Sequence, residues 1–306
     1  MTPIPPCPSF HPREGFSVVS LDCGIYVIGG SRKRKNSRSP RVLLLDCRTH
    51  TWRQVPSMTV ARRDAVAGVV NGKIYVLGGC KRYENYGEVF DPETQTWTTL
   101  PPVPGTVMSG SVIWEVSFRK FMVMGEKFYA VPICIWYRAS LLSYSPNEGI
   151  WERGMKDIDV SMLGTKSYCF SKAENVLYSC DDLGNVYWRE TEDPSEWKQV
   201  KRGLGALHSY FDKPMASIIW DTAPCDELFK GYSKVLRNVG TNILIFWFKY
   251  NPNKSNVDIW CAEISLERCH DISEISGKIE WLQPVAEVEG HPASHVNVLH
   301  SAYVNV

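Results

Sequence analysis

The sequence lacks an excess of charge of either sign. Acidic and basic residues balance to a formal +1 over 306 residues, which leaves no long-range pull toward nucleic acid or an anionic membrane. It also lacks paired cysteines. Ten are present, from Cys7 to Cys269, and none stands in a CxxC spacing, so neither a zinc module nor a dense disulfide scaffold is expected. Reduced thiols and a cytoplasmic or nuclear location follow as the expectation. No uncharged apolar run approaches the ~18 residues of a membrane span. The longest, FYAVPICIWY (128–137) and ILIFWF (243–248), have the length of buried strands. The opening MTPIPPCPSFHPREG is proline-rich and has no apolar core of a signal peptide. Missing too are the GxSxG elbow, the HExxH helix and the P-loop.

What is present is a repeat, with 11 Trp, 22 Gly and 19 Pro spread along the chain. AVAGVVNG (65–72) runs into KIYVLGG (73–79), then EVFDP (88–92) and TWTTLPPVP (96–104). Asn71-Gly72 between two apolar runs is a hairpin signal, because a type I′ turn needs positive φ at both central residues. Four short antiparallel strands in about 45 residues make one propeller blade. Upstream the unit reads FSVVSLDCG (16–24), IYVIGG (25–30), VLLLD (42–46) and TWRQVP (51–56). Downstream it loosens to KFYAVP (127–132), SLLSYS (140–145) and IWERG (150–154). A fourth copy runs KSYCFSKAENVLYSC (166–180), NVYWRE (185–190) and EWKQV (196–200). The fifth runs VLRNVGTNILIFWFKY (235–250), VDIWCAEISLE (257–267) and KIEWLQPV (278–285).

Gly29-Gly30 and Gly78-Gly79 close second strands, where a missing Cβ lets backbones approach. Leu45 and Trp52, Phe90 and Trp97, and Tyr144 and Trp151 keep one register, and each pair should stack between adjacent blades. Trp52, Trp97, Trp151, Trp197 and Trp281 are spaced 45, 54, 46 and 84 residues apart, the last gap holding an unassigned insertion at 205–232. Pro132 and Cys180-Asp181 stand where the third and fourth copies would carry the glycine pair. The tail HVNVLHSAYVNV (295–306) alternates like a strand. Shared with the N-terminal segment, it would complete a sixth blade and remove exposed edges. The expected architecture is therefore all-β: a propeller of six four-stranded blades over 15–306, behind a proline-rich tail at 1–14.

The double glycine followed by an aromatic and a Trp at fixed spacing is a kelch signature. The phrasing IYVIGG…LDCRTHTWRQVPSMTVAR…GKIYVLGGC…EVFDPETQTWTTLPPVPG, with IWCAEISLER…GKIEW near the end, resembles the plant F-box/kelch-repeat family. In that family an F-box of three helices docks a Skp-type adaptor, and the propeller captures a target for ubiquitination. Only about fourteen residues precede the first strand here. The resemblance thus implies the target-binding half of an SCF-type ligase receptor, with no F-box, no direct Skp-type contact and no cofactor.

The candidate partner-binding residues sit in loops. Arg62-Arg63 lies between the fourth strand of one blade and the first of the next, while Tyr83, Tyr86, Trp136, Tyr137 and Arg138 follow second strands. Those two loop types emerge on one propeller face, and Tyr, Trp and Arg are the types enriched in interface hot spots. Arg34 belongs to the basic run SRKRKNSRSPR (31–41), a solvated loop, an import patch or a contact for an acidic partner. His291, His295 and His300 suggest a metal only superficially, since Pro292 opposes the helix that would align two of them. Asp181-Asp182 cannot share a proton from opposite faces of a strand. The ExxxDxxxH spacing of iron-dependent kelch proteins is absent. No catalytic or metal residue is therefore assigned. The expected function is capture of a protein target by a peptide or loop. A metal-dependent small-molecule enzyme and a truncated, non-functional relative are the alternatives.

Overall fold

The computed structural model describes residues 7, 13–32, 37–80, 86–102, 118–132, 142–153, 167–171, 175–181, 183–190, 197–211, 235–251, 256–269 and 274–289. Its strands form five sheets of four, each an antiparallel meander in sequence order. Blade 1 holds β1 (Arg13–Leu21), β2 (Gly24–Arg32), β3 (Val42–Asp46) and β4 (Thr51–Val55). Blade 2 holds β5 (Val66–Val70), β6 (Lys73–Leu77), β7 (Gly87–Asp91) and β8 (Thr96–Thr99). Blade 3 holds β9 (Phe118–Met124), β10 (Lys127–Pro132), β11 (Leu142–Ser145) and β12 (Ile150–Arg153). These three lie in one compact unit that extends to Val160. The second unit, Ser161–Val298, holds the other two. Blade 4 is β13 (Ser167–Ser171), β14 (Val176–Cys180), β15 (Val186–Glu190) and β16 (Lys198–Gln199). A short helix, α1 (Gly205–Phe211), leads toward blade 5, made of β17 (Val235–Val239), β18 (Asn242–Asn251), β19 (Asn256–Cys269) and β20 (Glu274–Glu289).

Turn chemistry sets these boundaries. Asn71 and Gly72 both have positive φ, at 49° and 70°, so Val70 pairs with Lys73 across a two-residue hairpin. The third-to-fourth-strand turns repeat in the same way. Asp46 Oδ1 accepts the Arg48 and Thr49 amides, and Asp91 Oδ1 accepts those of Glu93 and Thr94. Two residues before each Trp, His50, Gln95 and Gly149 all turn left-handed, at 55°, 56° and 68°.

Packing follows the period of the strand. Successive side chains of β6 point to opposite faces, and both faces are buried. Ile74 and Val76 join Tyr26, Ile28 and Leu44 of blade 1 in one cluster, while Tyr75 and Leu77 join Phe128, Leu142 and Tyr144 of blade 3 in another. First strands lie side by side, β1 against β5 and β5 against β9, with β13 against β17 in the second unit. Fourth strands are the exposed rims. That is the layout of kelch-type propeller blades.

The six-blade expectation is corrected to five. Among the described residues β1 begins at Arg13 and pairs with β2 as the first strand of blade 1, and the strands make five four-stranded blades. Residues 295–306 lie outside the described residues. The third copy gains a first strand, β9, ahead of the 127–132 run, and the 205–232 insertion opens with the helix Gly205–Phe211.

Candidate protein-binding face

The glycine pairs show how the loops at this strand end are joined. Gly29, Gly30, Gly78 and Gly79 have φ of 71°, 88°, 72° and 68°, a region costly for residues with a Cβ. A Cβ on Gly79 would lie 2.4 Å from the Arg63 carbonyl oxygen, and one on Gly29 would lie 2.7 Å from that of Arg62. The space belongs to the connection from blade 1 to blade 2, residues 56–65. Its backbone is bonded on both sides: Gly30 N donates to Arg62 O at 2.9 Å, and Arg63 N donates to Gly79 O at 2.9 Å. Arg62 N donates to Ser39 O and Met58 N to Pro40 O, at 3.1 and 2.9 Å. The fourth-to-first-strand connection and the second-to-third-strand loop are thus joined at the same strand end.

Arg62 itself holds the join from within. Its side chain and that of Glu88 are both fully buried. Arg62 donates from Nε and Nη2 to Glu88 Oε1 at 3.2 and 2.9 Å, and from Nη1 to the Gly78 and Tyr86 carbonyls. Glu88 also accepts the Thr59 amide and hydroxyl and the Val60 amide. A buried ion pair is tolerated when its remaining donors and acceptors are satisfied in this way.

The eight residues read as partner contacts fall in different places. Arg62 is a buried clasp, because a strand glutamate meets it and the loop closes over both. Tyr86 is buried in the cluster between blades 2 and 3. Arg63 remains part-exposed beside Asp64, 3.2 Å away. Arg34, Tyr83, Trp136, Tyr137 and Arg138 lie outside the described residues. Part of the basic run is tied down, Arg38 Nε to Gly79 O at 3.0 Å and Arg41 Nε to Gln54 Oε1 at 2.9 Å, whereas Ser37 is exposed.

The Trp positions differ by blade. Trp97 Nε1 donates to Pro56 O and Trp151 Nε1 to Pro101 O, each at 2.9 Å, each reaching the end of the preceding blade's fourth strand. Phe90 packs against Trp97 and Tyr144 against Trp151 in tilted pairs, with centroids 5.0 and 4.7 Å apart. Trp52 faces Leu45 across β3 and β4. Trp197 lies 5.3 Å from the Arg189 guanidinium, and Trp281 donates to Glu263 across β19 and β20.

Blade 5 carries a feature the sequence reading missed. Counting from the hairpin pairs Val70↔Lys73 and Val239↔Asn242, Trp247 stands where blade 2 has Gly78. Pro132 and Asp181 occupy the same register in blades 3 and 4. Instead of a tight turn, β18 continues and exposes Lys249. Trp247 pairs across the ladder with Trp260 of β19, their rings stacked at 6.3 Å. Tyr210 of α1 closes against both, at 6.1 and 5.1 Å. The Lys249 ammonium sits 5.4 Å from the Tyr210 ring and 5.5 Å from that of Trp260. Both indole N–H groups are buried with no acceptor among the described residues. The run ILIFWF reads as a plain buried strand, and nothing in the insertion announces Tyr210 as its partner.

Other titratable groups among the described residues are held away from reactive states. Burial pushes the Cys169 and Cys261 thiols up to about 12, far from the thiolate a nucleophile needs. Burial also raises the Asp181 carboxyl. Donors from Asn185, the Tyr187 hydroxyl and the Leu183 amide outweigh that and hold it below its ordinary range. Asp181 is thereby spent on a turn, and Asp182 lies outside the described residues, as do His291, His295 and His300. No group of three or more metal-ligating side chains occurs among the described residues. No helix there is long and apolar enough to cross a membrane.

Residues 1–286 match the kelch-repeats domain family described as FKB95. An F-box/kelch-repeat protein of Arabidopsis thaliana is 33% identical over 301 residues, covering 92% of this chain and 67% of that protein. Two more from the same plant are each 34% identical, covering 90% and 92% of this chain and 64% of their own length. The chain therefore spans about two thirds of the length of these relatives. With the glycine-pair joins and the tryptophan register in place, this chain belongs to the FKB95 kelch-repeats domain family.

Proposed function

We propose that the chain is a protein-binding propeller, the target-recognition part of a ubiquitin ligase receptor of the SCF type, and not an enzyme. The observation that carries this reading is the join of the two loop classes at one strand end. The 56–65 connection is fastened by backbone bonds on both sides and by the Arg62–Glu88 pair beneath it. Loops so held present their outward side chains in a fixed arrangement, as a recognition surface requires. The relatives named for F-box and kelch repeats support the same class of role. The reading assigns no direct contact between these blades and a Skp-type adaptor, no cofactor, nucleic acid or membrane, and places the protein in the cytoplasm or nucleus.

Proximity labelling and pull-down in plant cells test it. Arg63→Glu, Tyr83→Ala and Trp136→Ala should each deplete the same protein from the captured set while the thermal transition stays in place. Capture indifferent to all three would sink the assignment of this face. Direct binding of a Skp-type adaptor by the purified chain would overturn the division of labour.

A further inference from the structure

The aromatic cluster of blade 5 repeats the logic of that face with different chemistry. Tyr210 comes from the connection entering blade 5, and Trp247 and Lys249 from the end of its second strand. These are the two structural classes that meet through glycines and backbone bonds in blades 1 and 2. Here they meet through rings. Tyr210, Trp260 and the Lys249 ammonium form a near-equilateral triangle with sides of 5.1, 5.4 and 5.5 Å, and Trp247 lies behind it, 4% exposed. Ring faces attract cations through their negative quadrupole at about 6 Å or less, and such notches prefer ammonium groups with little hydration to lose. Lys249 satisfies the charge poorly, because a primary ammonium is strongly hydrated and this one stays exposed. The buried N–H groups of Trp247 and Trp260, without acceptors among the described residues, also leave donors that a folded interior ordinarily satisfies.

We propose that the Tyr210–Trp260 notch, backed by Trp247, binds a methylated lysine side chain of the protein target, with Lys249 as the placeholder that this side chain displaces. The notch favours lysine because a lysine ammonium already lies against its rings. Methylation replaces its N–H groups, and the water they bind, with methyls that spread the charge over apolar surface suited to the rings. The proposal rests on the protein-binding reading above and names the chemistry of one contact within it.

The test titrates the full chain with three short peptides, following tryptophan fluorescence and heat of binding. One peptide carries trimethyl-lysine, one unmodified lysine, and one the neutral isostere with carbon in place of the nitrogen. Trimethyl-lysine should bind about tenfold more tightly than either comparator. Lys249→Ala should tighten it severalfold by emptying the notch, and Trp260→Ala or Tyr210→Ala should weaken it about tenfold. Circular dichroism melts establish that the variants are folded. Lys249→Ala changes only an exposed side chain, so it decides the matter even where a ring variant unfolds. Equal affinity for the neutral isostere, or no response to Lys249→Ala, overturns the proposal. Choline bound as tightly as the peptide would assign the notch to a free small cation instead and overturn the target side chain as its source. Because target capture in cells is read through Arg63, Tyr83 and Trp136, failure of the peptide titration and failure of the protein-binding reading are distinguishable.

Discussion

Arg62 and Glu88 place opposite charges where neither side chain reaches water. Breaking such a pair leaves an uncompensated buried charge and typically costs about 3–5 kcal/mol. Arg62→Ala and Glu88→Ala should each lower the stability measured by urea denaturation by about that much. The double variant should cost clearly less than the sum, since it strands no charge. Thiol chemistry gives a second check at this scale. Cys169 and Cys261, with pKa pushed up to about 12 by burial, should resist iodoacetamide in mildly alkaline buffer, while exposed Cys269 is alkylated and identified by mass spectrometry. Asp181 sets a pH dependence. Its carboxyl is held below the ordinary value despite burial, so its contribution is present above the unfolded value of about 4 and is lost as pH falls through the folded one. Asp181→Asn should therefore lower the melting temperature at neutral pH and converge with the parent chain in acid.

The elements were the most legible level. Asn71-Gly72, paired apolar runs and the repeated Gly-Gly and Trp anchors place the strands of blades 1 and 2 to within a few residues, because a positive-φ turn and a fixed repeat spacing are readable locally. Partnership was not legible. Arg62 reads as a polar loop residue, and its clue is Glu88, a charge placed between Gly87 and Val89 rather than at the strand end where Asp91 stands. Tyr210 meets Trp247 through a connection with no repeat phrasing, and the tail offered a sixth blade because alternation alone does not say which sheet a strand joins. The glycine pairs sharpen into a comparison between two turns. Gly72→Ala meets nothing within 4 Å and bears only the cost of positive φ, about 1–2 kcal/mol. Gly79→Ala adds a backbone clash with the Arg63 carbonyl at 2.4 Å and should lower the thermal midpoint markedly more, as differential scanning calorimetry of both variants would show.

At the scale of the molecule, each blade is a meander of consecutive hairpins and each described cluster is shared by neighbours in sequence. Stability built this way is close to a sum of repeats and nearest-neighbour terms. Substitutions in the two units with no shared partner should combine additively. Gly79→Ala with Trp281→Ala should match the sum of the singles within about 0.5 kcal/mol, and a larger departure in urea titrations would reveal coupling across the chain. The balanced charge works in the same direction. With a formal +1 overall the chain sets up no strong global field, so the proposed protein binding falls to local groups rather than long-range steering.

The 56–65 connection has a consequence for how such a face changes over time. Its path is dictated by carbonyls, amides and a hidden guanidinium, none of which needs the identity of an outward-facing side chain. On the proposed protein-binding reading, substitution at those outward positions changes the partner without re-solving how the loop folds. On the same reading, association incurs little loss of backbone freedom. A lineage that must follow changing targets inherits a fixed mould with replaceable lettering.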